Sequence, residues 1–128
     1  MKILLIDDDN LIRRSVARVL LANGHEVFTA EDGARGMELF RREHPELIVT
    51  DIYMPQQEGI ETILTIRREN HDVKIIAISG GGTSGTTDSL YMAKLLGADA
   101  VIQKPFRTDQ LLEAIESVRP AAEVDNRA

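Results

Sequence analysis

The chain has 128 residues, room for one domain and not for two. Hydrophobic residues make up 43% and charged residues 28%, which argues against disorder, and a net charge of -6 leaves no basic footprint for nucleic acid or anionic membrane. Cysteine is absent, which removes disulfides, thiolate metal sites and cysteine nucleophiles together.

Residues 3–6 form a short aliphatic run, too short for a signal peptide or a membrane span. Nothing marks export, so the expected compartment is the cytoplasm, without membrane insertion. Leu11, Ile12, Val16, Val19 and Leu20 then recur at helical spacing, with Asp9 or Asn10 as cap and Asn23-Gly24 as stop. A second apolar run, 27–29, precedes a helical stripe of Ala34, Met37 and Phe40. A third, 47–50, precedes Ile60, Ile63 and Leu64, and a fourth covers 73–78. The next helical stretch, around 90–96, is less regular, follows a glycine-rich segment at 80–85, and stops at Gly97. The fifth run, 100–103, leads to Leu111, Leu112, Ile115 and Val118, with Thr108 or Asp109 near the helix start. Five β-branched or aliphatic runs alternating with five helical stretches predict an α/β domain. Its sheet is parallel, its crossovers are right-handed, and helices cover both faces.

In an open parallel sheet of this kind, ligands bind beyond the carboxyl ends of the strands, near the reversal of strand order. Asp7, Asp8 and Asp9 follow the first predicted strand, Asp51 the third, Ser79 the fourth and Lys104 the fifth. His25, His44 and His71 all fall in helix-to-strand connections on the opposite rim. In the doubly wound order 2-1-3-4-5, strands one and three are neighbours, so Asp7 or Asp8 converges with Asp51. Two unit charges about 4 Å apart repel by about 4 kcal/mol at an effective dielectric near ~20, so the cluster holds either a proton or a cation. Oxygen ligands without Cys or His select a hard ion, and Mg²⁺ fits best. Asp9 reads more simply as a helix cap, but capping explains one acid per helix and not a convergent trio. The plain readings of Ser79 and Lys104 are a helix cap and an ion pair. Beside a bound cation they suggest instead a site for a dianionic phosphoryl group, with a carboxylate nucleophile and an acyl phosphate product.

The motif I-L-L-I-D-D ending at Asp8, I-V-T-D-I-Y-M-P around Asp51, I-I-A-I-S ending at Ser79 and V-I-Q-K-P-F around Lys104 resemble the receiver domains of bacterial two-component response regulators. Four motifs in order span about residues 2–119. The resemblance implies a flavodoxin-like doubly wound five-stranded parallel sheet, order 2-1-3-4-5, with five helices on both faces. The receiver domain would cover 1–119, with 120–128 as a C-terminal tail or truncated linker. It implies a phosphorylation-dependent signalling switch that catalyses only its own phosphorylation and dephosphorylation. Asp51 would be the phosphoacceptor and would ligate Mg²⁺ with Asp8 and the Tyr53 carbonyl, Asp7 acting partly through water. Ser79 and Lys104 would bind the phosphoryl group together with Gly80 and Ile52, and the Lys104–Pro105 bond would be cis. The donor would be a sensor histidine kinase or phosphotransfer protein. The face formed by the loop after strand four, strand five and the last helix would bind a downstream protein, not nucleic acid. A phosphorylation-dependent dimer is left open.

Three positions depart from the family pattern. Val101 stands where the family carries its switch aromatic, so coupling through a swinging ring cannot operate here. Gln56-Gln57-Glu58-Gly59 stands where an Asp-Gly pair is usual, and Glu58 is expected to keep the turn. The glycines of 80–85 predict a mobile loop that phosphate would order. That loop also satisfies G-x-G-x-x-G, but the acid a dinucleotide site needs at the end of the next strand is replaced by Lys104. It lacks the lysine of a nucleotide-binding P-loop, and Ser79 lacks the first glycine of a hydrolase elbow. Two rivals remain. A haloacid-dehalogenase-like phosphatase would use Asp7 as nucleophile and Asp9 as acid, leaving Asp51 idle. A receiver-like binding module would work without phosphate.

Overall fold

The computed structural model describes residues 1–52, 58–79, 94 and 96–119. Its strands are β1 (Lys2–Ile6), β2 (Glu26–Ala30), β3 (Leu47–Asp51), β4 (Lys74–Ser79) and β5 (Ala100–Gln103). Its helices are α1 (Asn10–Ala22), α2 (Gly33–Glu43), α3 (Glu58–Glu69) and, last in the chain, α4 (Thr108–Val118). The strands form one parallel sheet in the order β2-β1-β3-β4-β5, as expected. Four helices are present among the described residues where five were expected. The missing one, around 90–96, falls largely outside the described residues, as do Tyr53, Gly80, the glycine-rich stretch and residues 120–128.

The central strands read as unbroken apolar runs because both of their faces are covered. Ile3, Leu5, Leu47, Val49, Ile76 and Ile78 point to one side, against Val16 and Leu20 of α1 and Leu111, Ile115 and Val118 of α4. Leu4, Ile6, Ile48, Ile75 and Ala77 point to the other, against Leu39 and Phe40 of α2 and Ile63 and Ile66 of α3. Alternate strand residues thus feed two separate cores.

The helix ends follow local chemistry. Asp9 caps α1, its Oδ1 accepting the N–H groups of Leu11 at 2.9 Å and Ile12 at 3.1 Å. Gly24, just past α1, adopts φ +86°, the left-handed stop expected of it; Gly97 adopts φ +107°, and the helix it was expected to end lies largely outside the described residues. α4 begins at Thr108, as expected. Arg107 is the N-cap residue, its N–H donated to Gln110 Oε1 at 2.7 Å, while Asp109 sits inside the first turn and pairs with Arg107 Nε at 3.0 Å.

Register then aligns the rim. Ile6 pairs with Thr50, Asp51 with Ile78 and Ser79 with Gln103, so Asp7, Asp51, Ser79 and Lys104 leave their strands at nearly one level. On the far rim Arg67 of α3 ties the layers together. Its guanidinium donates to the carbonyls of Gly97 and Val73 and pairs with Asp99 at 2.6 Å, and Asp99 also accepts the Ile75 N–H at 2.8 Å. No helix among the described residues is long and apolar enough to cross a membrane.

One close approach sets the rim's tolerance. A Cβ on Gly59 would lie 2.2 Å from the Asp51 carbonyl oxygen and 2.5 Å from the Ile52 Cα, both backbone atoms. A Cβ on Gly36 would meet only the end of the Ile6 side chain, at 2.5 Å, which can turn away. Gly59→Ala is therefore expected to cost roughly 1–3 kcal/mol by overpacking, and Gly36→Ala less than ~1 kcal/mol once its gain in helix propensity is included. Urea melts of the two variants check the order.

Candidate functional site

Asp7 is the first residue beyond β1 and is fully buried; Asp51 closes β3 and is 3% exposed. Their carboxylates and that of exposed Asp8 each offer an oxygen, and the three oxygens lie within 4.8 Å of one another. Lys104, the first residue past β5, reaches into this group. Its Nζ donates to Asp51 Oδ2 at 2.7 Å and stands 3.4 Å from Asp7 Oδ2. Ser79 closes β4, fully buried, and its carbonyl accepts the Lys104 N–H at 2.8 Å. The Lys104–Pro105 bond is cis, as the resemblance implied. The five residues expected to converge, Asp7, Asp8, Asp51, Ser79 and Lys104, share one lip of the sheet.

Other expectations divide. Asp9 is the α1 cap, and its backbone N–H donates to Asp7 Oδ1 at 2.9 Å, which helps fix that carboxylate. Ile52, expected among the phosphate-binding residues, lies beside Asp51 and donates its N–H to the Ile78 carbonyl at 3.0 Å. Tyr53 and Gly80 lie outside the described residues. Val101, at the switch-aromatic position, is partly buried against the core under α2 and α3. His25, His44 and His71 are on the opposite rim, as sorted from the sequence.

Two residues of the site were not singled out from the sequence. Arg13 donates from Nη1 to the Asp7 carbonyl at 2.7 Å and from Nη2 to Asn10 Oδ1 at 2.8 Å, bracing the turn that carries Asp7 and Asp8. Gly59 lets α3 approach the Asp51–Ile52 backbone. The six-residue step from Asp7 to Arg13 has no periodic signature. Gly59 stood in the noted turn, but only the packing shows what it touches.

Burial dominates the electrostatics. It pushes the Asp7 carboxyl above the usual carboxylate range; the Asp9 N–H and the Lys104 charge oppose this, and the neighbouring Asp51 charge adds to it. Burial by itself would lower the Lys104 ammonium, but the hydrogen bond and charge of Asp51, joined by those of Asp7, outweigh it and hold Lys104 above its ordinary value. The lip thus carries three carboxylates against one ammonium, an excess of negative charge made of hard oxygen donors. That donor set suits a divalent cation such as Mg²⁺.

The response regulator receiver domain family matches this chain over residues 3–116. The chain belongs to that family. Receiver domains are generally switches in phosphorylation-dependent signalling rather than enzymes. The chain is 35% identical to the chemotaxis protein CheY of Bacillus subtilis, over 89% of this chain and 93% of that one. It is 33% identical to the response regulator MprA of Mycobacterium leprae, over 100% of this chain and 55% of that protein. A CheY-like receiver domain protein from Methanospirillum hungatei superposes with a TM-score of 0.82 at 29% identity, covering 99% of this chain and 98% of that one. The chain spans about half the length of MprA and of two transcriptional regulators it also matches. The phosphatase reading gives way to this membership. The acid it required, Asp9, is committed to the helix cap.

The raised Asp7 pKa carries a sign. Below the ordinary aspartate value near ~3.8 the residue is protonated folded or unfolded and costs nothing; as pH rises through the higher folded value, its burial as an anion is increasingly felt. Without divalent metal, Asp7→Asn is therefore expected to gain stability relative to the parent as pH rises from about 4 to neutrality. The asparagine Oδ1 still accepts the Asp9 N–H. Denaturant melts in chelator across that range check it, and Mg²⁺ should stabilise the parent more than the variant.

Proposed function

We propose that this receiver domain takes a phosphoryl group onto Asp51 from a phosphohistidine of a sensor kinase or phosphotransfer protein. The reading is carried by one observation: the Lys104 ammonium lies 2.7 Å from the Asp51 carboxylate within a trio of convergent acids. Asp7, Asp8 and Asp51, with the Tyr53 carbonyl, would hold Mg²⁺, which supplies charge neutralisation for the incoming phosphoryl oxygens.

The chain's own residues do the rest. An Asp51 carboxylate oxygen attacks phosphorus; the bond from phosphorus to the donor's imidazole nitrogen breaks, and an acyl phosphate forms. Lys104 exchanges its contact with the carboxylate for one with a phosphoryl oxygen, keeping an ion pair throughout. The Ser79 hydroxyl and the Gly80 N–H bind the remaining oxygens. A place for Ile52 requires that its N–H leave the Ile78 carbonyl. Hydrolysis of the acyl phosphate resets the domain.

The added charge acts on the segment after β4, on β5 and on α4, whose surface then binds or releases a downstream protein. With Val101 in the aromatic position, this coupling runs through Lys104 and Ser79 rather than through a swinging ring. Residues 1–119 form the domain and 120–128 a tail or the start of a linker, and the work is done in the cytoplasm.

Phosphoryl labelling from acetyl phosphate or a kinase tests the reading. The parent should take up label with Mg²⁺, Asp51→Asn should fall to background, and Lys104→Ala should react roughly 10²-fold more slowly. Label that persists in Asp51→Asn and vanishes in Asp7→Asn moves the nucleophile to Asp7. No label in any form of the protein leaves a receiver that works by binding alone.

A further inference from the structure

The three acids of the lip are not held alike. Asp7 accepts the Asp9 N–H at 2.9 Å and faces Lys104 at 3.4 Å, and Asp51 accepts from Lys104 at 2.7 Å. Asp8 is exposed, and among the described residues no hydrogen bond or ion pair fixes its carboxylate. An oxygen of Asp8 nonetheless lies within 4.8 Å of oxygens of the other two. Its position is therefore inherited from the backbone of the short connection between β1 and α1.

Arg13 governs that backbone. Helical side chains lean toward the N-terminus, so Arg13, at the end of the first turn of α1, reaches back toward the strand. Its fork spans two anchors: Nη1 donates to the Asp7 carbonyl at 2.7 Å and Nη2 to Asn10 Oδ1 at 2.8 Å. The Asp7 carbonyl belongs to the planar peptide unit that joins Asp7 to Asp8, so a hold on that oxygen orients the Asp8 Cα directly. The neighbouring restraints act on either side of this unit. The Asp7 N–H donates to the Ala30 carbonyl at 3.1 Å, and the Asp9 side chain is spent on the helix cap. Among the described residues Arg13 is the one donor to the Asp7 carbonyl.

We propose that Arg13 is a positioning residue for the divalent cation and that it acts through Asp8. It forms no ion pair with the carboxylates themselves among the described residues. By fixing the Asp7–Asp8 peptide it keeps the Asp8 carboxylate turned to the lip before an ion arrives, which removes part of the ordering cost of binding. This role rests on Mg²⁺ being the ion held by the trio, as proposed above. Two effects of the guanidinium have opposite signs. Its positive charge near the lip repels a cation, so by charge alone its removal tightens Mg²⁺ binding. Positioning predicts the reverse. Arg13→Lys separates the two further, because lysine keeps the charge but has no planar fork to span Asp7 and Asn10.

Titration of the full chain with Mg²⁺, followed by the backbone amide shifts of the lip, tests this role. Arg13→Met and Arg13→Lys should each weaken Mg²⁺ binding by about tenfold. Asp8→Asn should weaken it as well, and Arg13→Met added to Asp8→Asn should change it by less than about twofold, since the partner through which Arg13 acts is already impaired. Arg14→Met, which removes an exposed charge with no bond to the lip, should leave binding within about twofold of the parent. Circular dichroism melts in chelator confirm that each variant is folded. An Arg13→Met protein that binds Mg²⁺ as tightly as the parent, or more tightly, overturns the proposal. So does a full, additive loss in the Asp8→Asn background. A parent that binds no Mg²⁺ removes the metal reading and this role with it, whereas a parent that binds while both Arg13 variants bind equally well removes this role alone.

Discussion

A single buried ammonium holds the lip of this sheet together. Asp7 and Asp51 are almost wholly withdrawn from water, two carboxylates so placed repel each other, and burial raises the Asp7 carboxyl above its ordinary value. Lys104 answers both, at 2.7 Å and 3.4 Å, and is itself held charged by them against its own burial. Lys104 is the cation bonded to these carboxylates, and one ammonium against three acids leaves them short of positive charge. This deficit makes the lip receptive to a divalent ion, and it also makes a dianionic group tolerable there once such an ion is bound.

The rest of the fold serves that contact. Lys104 and Asp51 are 53 positions apart in sequence; Asp51 ends β3 and Lys104 follows β5, strands that do not touch because β4 lies between them. The two side chains meet because the parallel register ends β3, β4 and β5 at one level and because helices on both faces keep the sheet from slipping. Arg13 fixes the carbonyl of Asp7, the Asp9 amide fixes its carboxylate, and Gly59 lets α3 close on the Asp51 backbone. On the far rim Arg67 and Asp99 pin the end of α3 to the entries of β4 and β5. A displacement of either strand would carry Ser79 or Lys104 with it.

Much of this was legible before folding. The β-branched runs marked strands covered on both faces, and the αL stop at Gly24 marked the end of α1, because only glycine adopts that angle without strain. The rule that parallel sheets bind at their carboxyl ends separated Asp7, Asp8, Asp51, Ser79 and Lys104 from the histidines. It could not show that the Ile52 N–H, beside Asp51, is donated to the Ile78 carbonyl. Nor could it show that Arg107 caps α4, since a backbone N–H accepted by Gln110 leaves no mark on residue types.

By itself the sequence determined the alternation of strands and helices, the apolar faces of each and the oxygen-only chemistry of one lip. These follow from residue type and period, which are local. Tertiary structure alone decided that Lys104 bonds Asp51 more closely than Asp7, that Arg13 braces Asp7, and that α1 and α4 stand apart while α2 and α3 meet. Those outcomes depend on distances between residues far apart in the chain. Such distances are set only when two cores pack against one sheet at once.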